Sequence, residues 1–453
     1  MKSVETYSLE NRTNHIEIKG KNNKQGIQCD QHSITGAVSQ RACVYCGARV
    51  VLNPITDAVH IVHGPIGCSS YTWDIRGSLS SGSEMYRNSY STDLQERDII
   101  FGGGEKLAGA IDEIVKTKAP ETIFVYSTCV VGVIGDDLDA ICKEAESKYN
   151  IRVIPVQSSG FAGSKKDGYR AACDAIIDLM DDELYEEDIK DHKAFNYLGD
   201  YNLAGEIWIL NNYFKEIGAK MITGVTGDST ISKLKSAQNA SFNIVQCAGS
   251  SIYLAELMRE RFDIDYEQVS FFGIKDTSNS IRRLAELTGD PEIKRNAENL
   301  ISRKSAEVAA VLEEYKEKCK GKKVAIYVGG GFKAISLIKQ FNELGMATVM
   351  VGTQTGRKEE YDTIRDLSED GTVILDDTNP SELEKYMREK GADLLVGGVK
   401  ERPLAYKLGI AFIDHNHERK DPLIGFEGAV NFAKEVDLTI NSPVWDIVRR
   451  VGL

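Results

Sequence analysis

Residues 121–157, ETIFVYSTCVVGVIGDDLDAICKEAESKYNIRVIPVQ, decide the fold. At one end, 121–128 (ETIFVYST) is a short apolar run with β-branched and aromatic side chains, and 151–157 (IRVIPVQ) is another. Between them, 136–149 (DDLDAICKEAESKY) has apolar residues at helical spacing and charges elsewhere. Strands without polar alternation are buried on both faces, and a helix connecting two of them makes the pair parallel. The next segment, 166–180 (KDGYRAACDAIIDLM), reads as the helix of the second strand. A polar, acidic stretch, 181–195 (DDELYEEDIKDHKAF), then interrupts the alternation, which restarts at 205–228 (GEIWILNNYFKEIGAKMITGVTGD). It continues through 241–247 (SFNIVQC), a helix from Ser251 to Arg261, and 269–289. A highly charged helical run over 291–320 stops at the Gly-Lys dipeptide of KCKGKK. Beyond it the pattern repeats with strands at 323–328, 346–351, 372–376, 393–397 and 410–413 and a helix near 334–344. The expected fold class is therefore α/β: three Rossmann-like units, each a mainly parallel sheet flanked by helices, with a polar N-terminal extension. The boundaries read as 1–38 for the extension, then 39–200, 201–320 and 321–453.

A chain of 453 residues has material for two to four domains, and 42% apolar with 27% charged residues is an ordinary globular composition. Lys plus Arg number 55 against 68 Asp plus Glu, a formal charge of −13, which argues against nucleic acid or anionic membrane as a partner. Neither a secretory h-region nor a membrane span stands out, so a cytoplasmic protein is expected. In a reducing compartment, nine cysteines are read as metal ligands, working thiols or buried packing rather than disulfides. Cys142 and Cys173 fall on the inward faces of helices, and Cys319 sits in a charged run near a helix end. Cys43, Cys68 and Cys129 stand apart, because each lies at the end of an element. Soft thiolates at rigid backbone positions are what an iron–sulfur cluster needs, but three is one short of the usual four. For a cluster, the fourth ligand is either Cys46, in the same CVYC segment as Cys43, or a residue of another subunit; the chemistry alone leaves buried structural thiols as the other reading of the three. Glycine-rich loops at 225–230, 327–334, 351–358 and 396–403 follow strands, yet none has the spacing of a nucleotide-binding loop; they suit an anion of another kind.

The segment 39–107, running from SQRACVYCGARV through HGPIGC to FGGGEKL, resembles the N-terminal signature of the nitrogenase component 1 superfamily. The resemblance extends through VYSTCVVGVIGDD (125–137), VGTQTGRKEEYD (351–362), DDTNP (376–380), 394–436 and NSPVW (441–445). Within the superfamily, the chain is most similar to the α-type subunits of the scaffold on which the iron–molybdenum cofactor is completed. That resemblance implies a [4Fe–4S] cluster held by Cys43, Cys68 and Cys129, with the fourth ligand from a NifN-like β-type subunit in an α2β2 heterotetramer. Cys46 departs from the family pattern as a second cysteine beside Cys43. Cys247 matches the anchor for the iron–sulfur precursor of the cofactor; it ends a strand and is followed by AGSS, small residues that open a helix. In catalytic α subunits a histidine precedes a GYDG-like sequence and ligates molybdenum, whereas DPLIGFEG (421–428) has Ile424 there. His415 and His417, in DHNHERK, are read as substitutes or, given their exposed, charged surroundings, as solvated groups or groups that orient a ligand from behind. The precursor and homocitrate are anionic, so the resemblance also implies cations at the pocket: Arg76, Lys166, Lys333 and Lys400. The implied role is an assembly scaffold rather than a classical enzyme. It holds the precursor while molybdenum and homocitrate are inserted, receives it from an upstream donor, works with the nitrogenase Fe protein and delivers product to apo-nitrogenase. A catalytic α subunit and a related tetrapyrrole reductase subunit are the alternatives.

Overall fold

The computed structural model describes residues 12–21, 26–29, 42–74, 88–180, 191–246, 248–415 and 420–451. Among the described residues, fourteen strands form three sheets. In chain order they are β1 (Ile16–Ile18), β2 (Val59–His63), β3 (Ser89–Ser91), β4 (Thr122–Ser127), β5 (Arg152–Val156), β6 (Asp191–Asp200) and β7 (Lys220–Thr226). They continue as β8 (Ala240–Val245), β9 (Tyr266–Gln268), β10 (Lys323–Val328), β11 (Ala347–Thr353), β12 (Val373–Asp376), β13 (Leu394–Gly397) and β14 (Ala411–Asp414). The sheet orders are β3-β2-β4-β5, β7-β6-β8-β9 and β1-β12-β11-β10-β13-β14. Every pairing is parallel except β1 on β12, where the N-terminal strand adds an antiparallel edge. The expected α/β architecture of parallel sheets flanked by helices is therefore present. Among the described residues, no helix is long and apolar enough to cross a membrane.

The chain divides into two compact units, one from Ala42–Val269 with Arg282–Ala297, the other from Ser270–Ile281 and Glu298–Leu453 with the described residues ahead of Ala42. In the first unit, successive residues of the β2-β4-β5 strands face opposite ways, as the pleat requires. Phe124, Tyr126, Ile154 and Val156 join a core that includes residues of α1 (Val44–Leu52) and α7 (Lys165–Met180). Ile123, Val125 and Val153 face the other way, into a core with Leu107 and Ile111 of α4 (Gly104–Lys118) and Leu138 and Cys142 of α6 (Leu138–Tyr149). Between these two helices in number lies α5 (Cys129–Ile134), and ahead of them α2 (Ile66–Asp74) and α3 (Glu96–Phe101). The helical thiols read as packing, Cys142 and Cys173, are each 1% exposed, and burial pushes that of Cys142 up to about 12.

The acidic stretch 181–195 is not wholly an interruption, because β6 begins inside it at Asp191. Its first three residues stay at least partly exposed and only Ala194 onward are buried, so the opening of this strand carries linker-like polarity. It then becomes an inner strand of the second sheet, flanked by β7 and β8.

Candidate functional site

Three elements of the first sheet end at one place, the carboxyl edge where parallel strands deliver their loops. After β2, Gly64 and Pro65 turn the chain into α2, which carries Cys68 in its first turn, with the Cys68 N–H donating to the Pro65 carbonyl at 3.1 Å. After β4, Thr128 is the extended N-cap residue and Cys129 the first residue of α5. After β5, Ser158 clamps the two strand ends together: its N–H donates to Ser127 Oγ and its hydroxyl to the Ser127 carbonyl, both at 2.8 Å. Gly160 follows in a short 3-10 turn.

Two glycines bring the thiol-bearing turns close. A methyl group on Gly64 would collide with the Thr128 side chain, so the Cys68 turn lies directly on the residue before Cys129. A Cβ on Gly160 would sit 2.8 Å from Cys129 Sγ and 3.8 Å from Cys43 Cβ. Gly160 thus separates those two cysteines, and its N–H donates to Cys129 Sγ at 3.3 Å. Cys43 itself is the extended N-cap residue of α1 and makes no side-chain cap hydrogen bond. Its position follows from the α1–α7 crossing, where Gly47 and Gly168 let the helices meet backbone to backbone: a Cβ on Gly168 would strike the Val44 carbonyl, and one on Gly47 the Lys165 carbonyl.

Cys43 and Cys129 are exposed and Cys68 is half-buried, whereas Cys46, one helical turn along α1, is 2% exposed in the core. The Cys68 thiol is pushed above its ordinary range first by burial, then by the negative potential of Cys129 and Cys43. Among the described residues, no three His, Cys, Asp or Glu side chains are disposed to hold one metal ion, and that includes this triad. The three thiols come from neighbouring turns at one sheet edge, grouped but not set to chelate a single ion. The same loops expose large apolar side chains: Ile66, Val133 and Phe161 are 47%, 71% and 74% accessible.

The cofactor-pocket residues expected from sequence are spread over several loops. Cys247, Arg76 and His417 lie outside the described residues. Lys166 is half-buried in the first turn of α7. Lys333 lies near the start of the helix Gly331–Glu343 and donates to the His415 carbonyl at 2.8 Å. Lys400 is exposed in the turn after β13. Beside it, Glu401 is 2% exposed; one carboxylate oxygen accepts from the Gly398 N–H at 2.8 Å, and burial pushes its carboxyl up to about 7. His415 corrects an expectation. Its ring is fully buried, tilted against Phe272 at 6.1 Å and edge-on to Phe432 at 6.2 Å, rather than in exposed, charged surroundings. Ile424 is also fully buried, as the extended N-cap residue of the helix Gly425–Ile440, whose first N–H donates to the Phe271 carbonyl at 2.8 Å.

The family model described as nitrogenase component 1 type oxidoreductase matches residues 43–441. The chain belongs to this family. A relative from Clostridium pasteurianum, named nitrogenase iron-molybdenum cofactor biosynthesis protein NifE, is 63% identical over 422 residues, covering 93% of this chain and 92% of its own. A protein of the same name from Methanosarcina barkeri is 51% identical over 454 residues, covering 98% of each. Among solved structures, nitrogenase Cp1 at pH 6.5 superposes with a TM-score of 0.86 at 29% identity, covering 96% of this chain and 95% of its own.

For a member of the nitrogenase component 1 family, the sequence motifs point to the cysteines but not to their supports. Gly160 belongs to no motif, since glycine in a loop is common, although its place just past the 151–157 strand, at the carboxyl edge of the sheet, is a usable signal. His63 and Asp136 stand inside the quoted motifs HGPIGC and VIGDD, and their pairing is visible only in three dimensions.

Proposed function

We propose that this chain is the α-type scaffold subunit of iron–molybdenum cofactor biosynthesis, not a catalytic nitrogenase subunit. The observation that carries the reading is near full-length identity of 63% and 51% to proteins bearing that function in their names. Ile424 supports it independently: a buried aliphatic residue stands where the catalytic subunits' motif has a metal-ligating histidine. With Cys247 as one strong protein anchor instead of two, a precursor is held as suits cargo that must later leave. Arg76, Lys166, Lys333 and Lys400 are the candidate counter-charges for the precursor and for homocitrate during molybdenum insertion.

Cys43, Cys68 and Cys129 hold a resident [4Fe–4S] cluster in this proposal, the fourth ligand coming from a NifN-like β-type partner in an α2β2 complex. Three grouped thiols at an exposed edge, their mutual repulsion, the Gly160 space and the N–H directed at Cys129 fit a cluster in which each thiolate takes its own iron. When bound, such a cluster supplies one-electron transfer. The chain's own residues position three sulfurs, and the Gly160 N–H offsets thiolate charge. Ile66, Val133 and Phe161 offer the partner an apolar seat that keeps water away. The complex works in the cytoplasm with the nitrogenase Fe protein, between a precursor donor and apo-nitrogenase.

The test is anaerobic purification of the complex with its β-type partner, followed by iron analysis and activation of apo-nitrogenase by wild-type, C247A and I424H proteins. C247A should lose retained precursor while keeping the interfacial cluster, and I424H should slow delivery of the completed cofactor. A wild-type complex that neither holds precursor nor activates apo-nitrogenase would refute the scaffold role.

A further inference from the structure

Behind the cysteine-bearing turns lies a buried polar chain of side chains and backbone groups. His63 closes β2, immediately before the turn that leads to Cys68, and its side chain is completely buried. Its Nε2 lies 3.0 Å from Asp136 Oδ2 and its Nδ1 3.0 Å from Thr92 Oγ1. Asp136 follows α5, the helix that begins with Cys129, and its side chain is 8% exposed. Both of its oxygens also accept from the Gly103 N–H, at 3.0 and 3.1 Å. Thr92 Oγ1 in turn accepts from the Gly64 N–H at 3.0 Å, and the Gly64 carbonyl accepts from Leu94 at 3.0 Å.

One assignment of protons satisfies every member. A carboxylate only accepts, so His63 Nε2 carries the hydrogen and donates to Asp136. Nδ1 is then an acceptor and receives the Thr92 hydroxyl hydrogen, while that hydroxyl oxygen takes the Gly64 N–H. Burial lowers the His63 pKa, its largest influence, in keeping with this neutral form. The chain thereby ties Gly64 of the Cys68 turn to Asp136 behind the Cys129 helix. It reaches on to Gly103, where a Cβ would press on Asp136, Leu94 and His63 at 2.7, 2.8 and 3.1 Å. Gly103 directly follows α3 and the Gly102 cap, so the exposed Ile100 and Phe101 hang from the same carboxylate.

We propose that His63 and Asp136 are positioning residues that fix the spacing of the Cys68 and Cys129 turns, and hence the geometry in which the two thiolates meet their irons. The inference rests on the reading of the triad as cluster ligands. They act on the turns that carry the sulfurs, not on the sulfurs themselves. Outer groups that orient ligands change metal affinity on the order of 10-fold or more when removed.

The test uses the purified full-length complex in four variants: D136N, H63L, H63Q and C68A. Asn at 136 turns an amide NH2 toward either His63 Nε2 or Gly103 N–H: the first forces the imidazole into the other tautomer, so that the Thr92 hydroxyl loses its acceptor, and the second sets two donors against each other. Leu at 63 breaks both of the histidine's links, whereas Gln offers a donor and an acceptor and is the conservative rescue. D136N and H63L should release iron to a chelator about 10-fold faster than wild type and alter the electron paramagnetic resonance spectrum of the reduced cluster. H63Q should restore both toward wild type, and melting of each apo protein reports any loss of fold separately. Wild-type release rates and spectra in D136N and H63L, alongside iron loss in C68A, would overturn the positioning role and leave the triad standing. Wild-type iron and spectrum in C68A would instead overturn the triad itself.

Discussion

Replacing Gly160 by Ala separates what the fold needs from what the thiols need. Gly160 is not among the residues with left-handed φ, so an alanine fits the backbone, and a smaller unfolded-state entropy favours the variant by about 0.4–1 kcal/mol. Against that, the new methyl lies 2.8 Å from Cys129 Sγ, roughly 0.6 Å inside the 3.4 Å at which ordinary contact begins. The sulfur ends a short, exposed side chain, so it can turn aside at an off-rotamer cost of roughly 0.5–1.5 kcal/mol. The two effects nearly cancel, and the apo protein should keep its stability to within about 1 kcal/mol in urea unfolding. The cluster should not be so tolerant, since metal–ligand distances hold to about 0.2 Å and the sulfur has moved about three times that. G160A complexes purified anaerobically should therefore contain less iron than wild type and show a changed spectrum of the reduced cluster. Equal iron with an unchanged spectrum would refute the placement of Gly160 and Cys129 at the cluster. A stability loss above about 2 kcal/mol in the apo protein would show that Gly160 serves the fold first.

At the α1–α7 crossing the obstacle is backbone, which cannot turn aside: G168A should destabilise the protein by about 1–3 kcal/mol, and a loss below about 0.5 kcal/mol in urea unfolding would contradict the close approach. Glu401 predicts a pH dependence. Its carboxyl rises from 4.5 to about 7 in the folded protein, so the native state holds the proton more tightly than the unfolded chain. Its stabilisation is complete below about pH 4.5 and is lost as pH rises through 7, by roughly 3 kcal/mol in all. The stability difference between E401Q and wild type should move in the variant's favour by that order between pH 5 and pH 8 in parallel urea unfolding curves, and a constant difference would refute the buried, proton-binding carboxyl.

Burial on both faces was written into the sequence, because a strand covered by helices on either side needs apolar residues at nearly every position. That is why TIFVYS (122–127), KVAIYV (323–328) and LLVG (394–397) read as inner strands and are buried along almost their whole length. The inward cysteines of helices were legible for the same reason: helical spacing fixes which side a residue occupies relative to its apolar neighbours. The candidate ligands Cys43, Cys68 and Cys129 were legible as chemistry at element ends. Their grouping was not, because it depends on which strands are neighbours, and the order β3-β2-β4-β5 is set by packing among segments far apart in the chain. Local patterning also misled at two places. Asp191–Lys193 looked like linker because the first residues of β6 remain partly exposed, and His415 looked solvated because its chain neighbours are charged. At the end of β14, Asp414 is only partly buried while the next residue turns between Phe272 and Phe432. Sequence thus determined the elements, their period and the kind of chemistry available. Tertiary structure alone decided the glycine contacts at 47, 64, 160 and 168 and the His63–Asp136 tie, because each depends on the approach of two segments that no local pattern records.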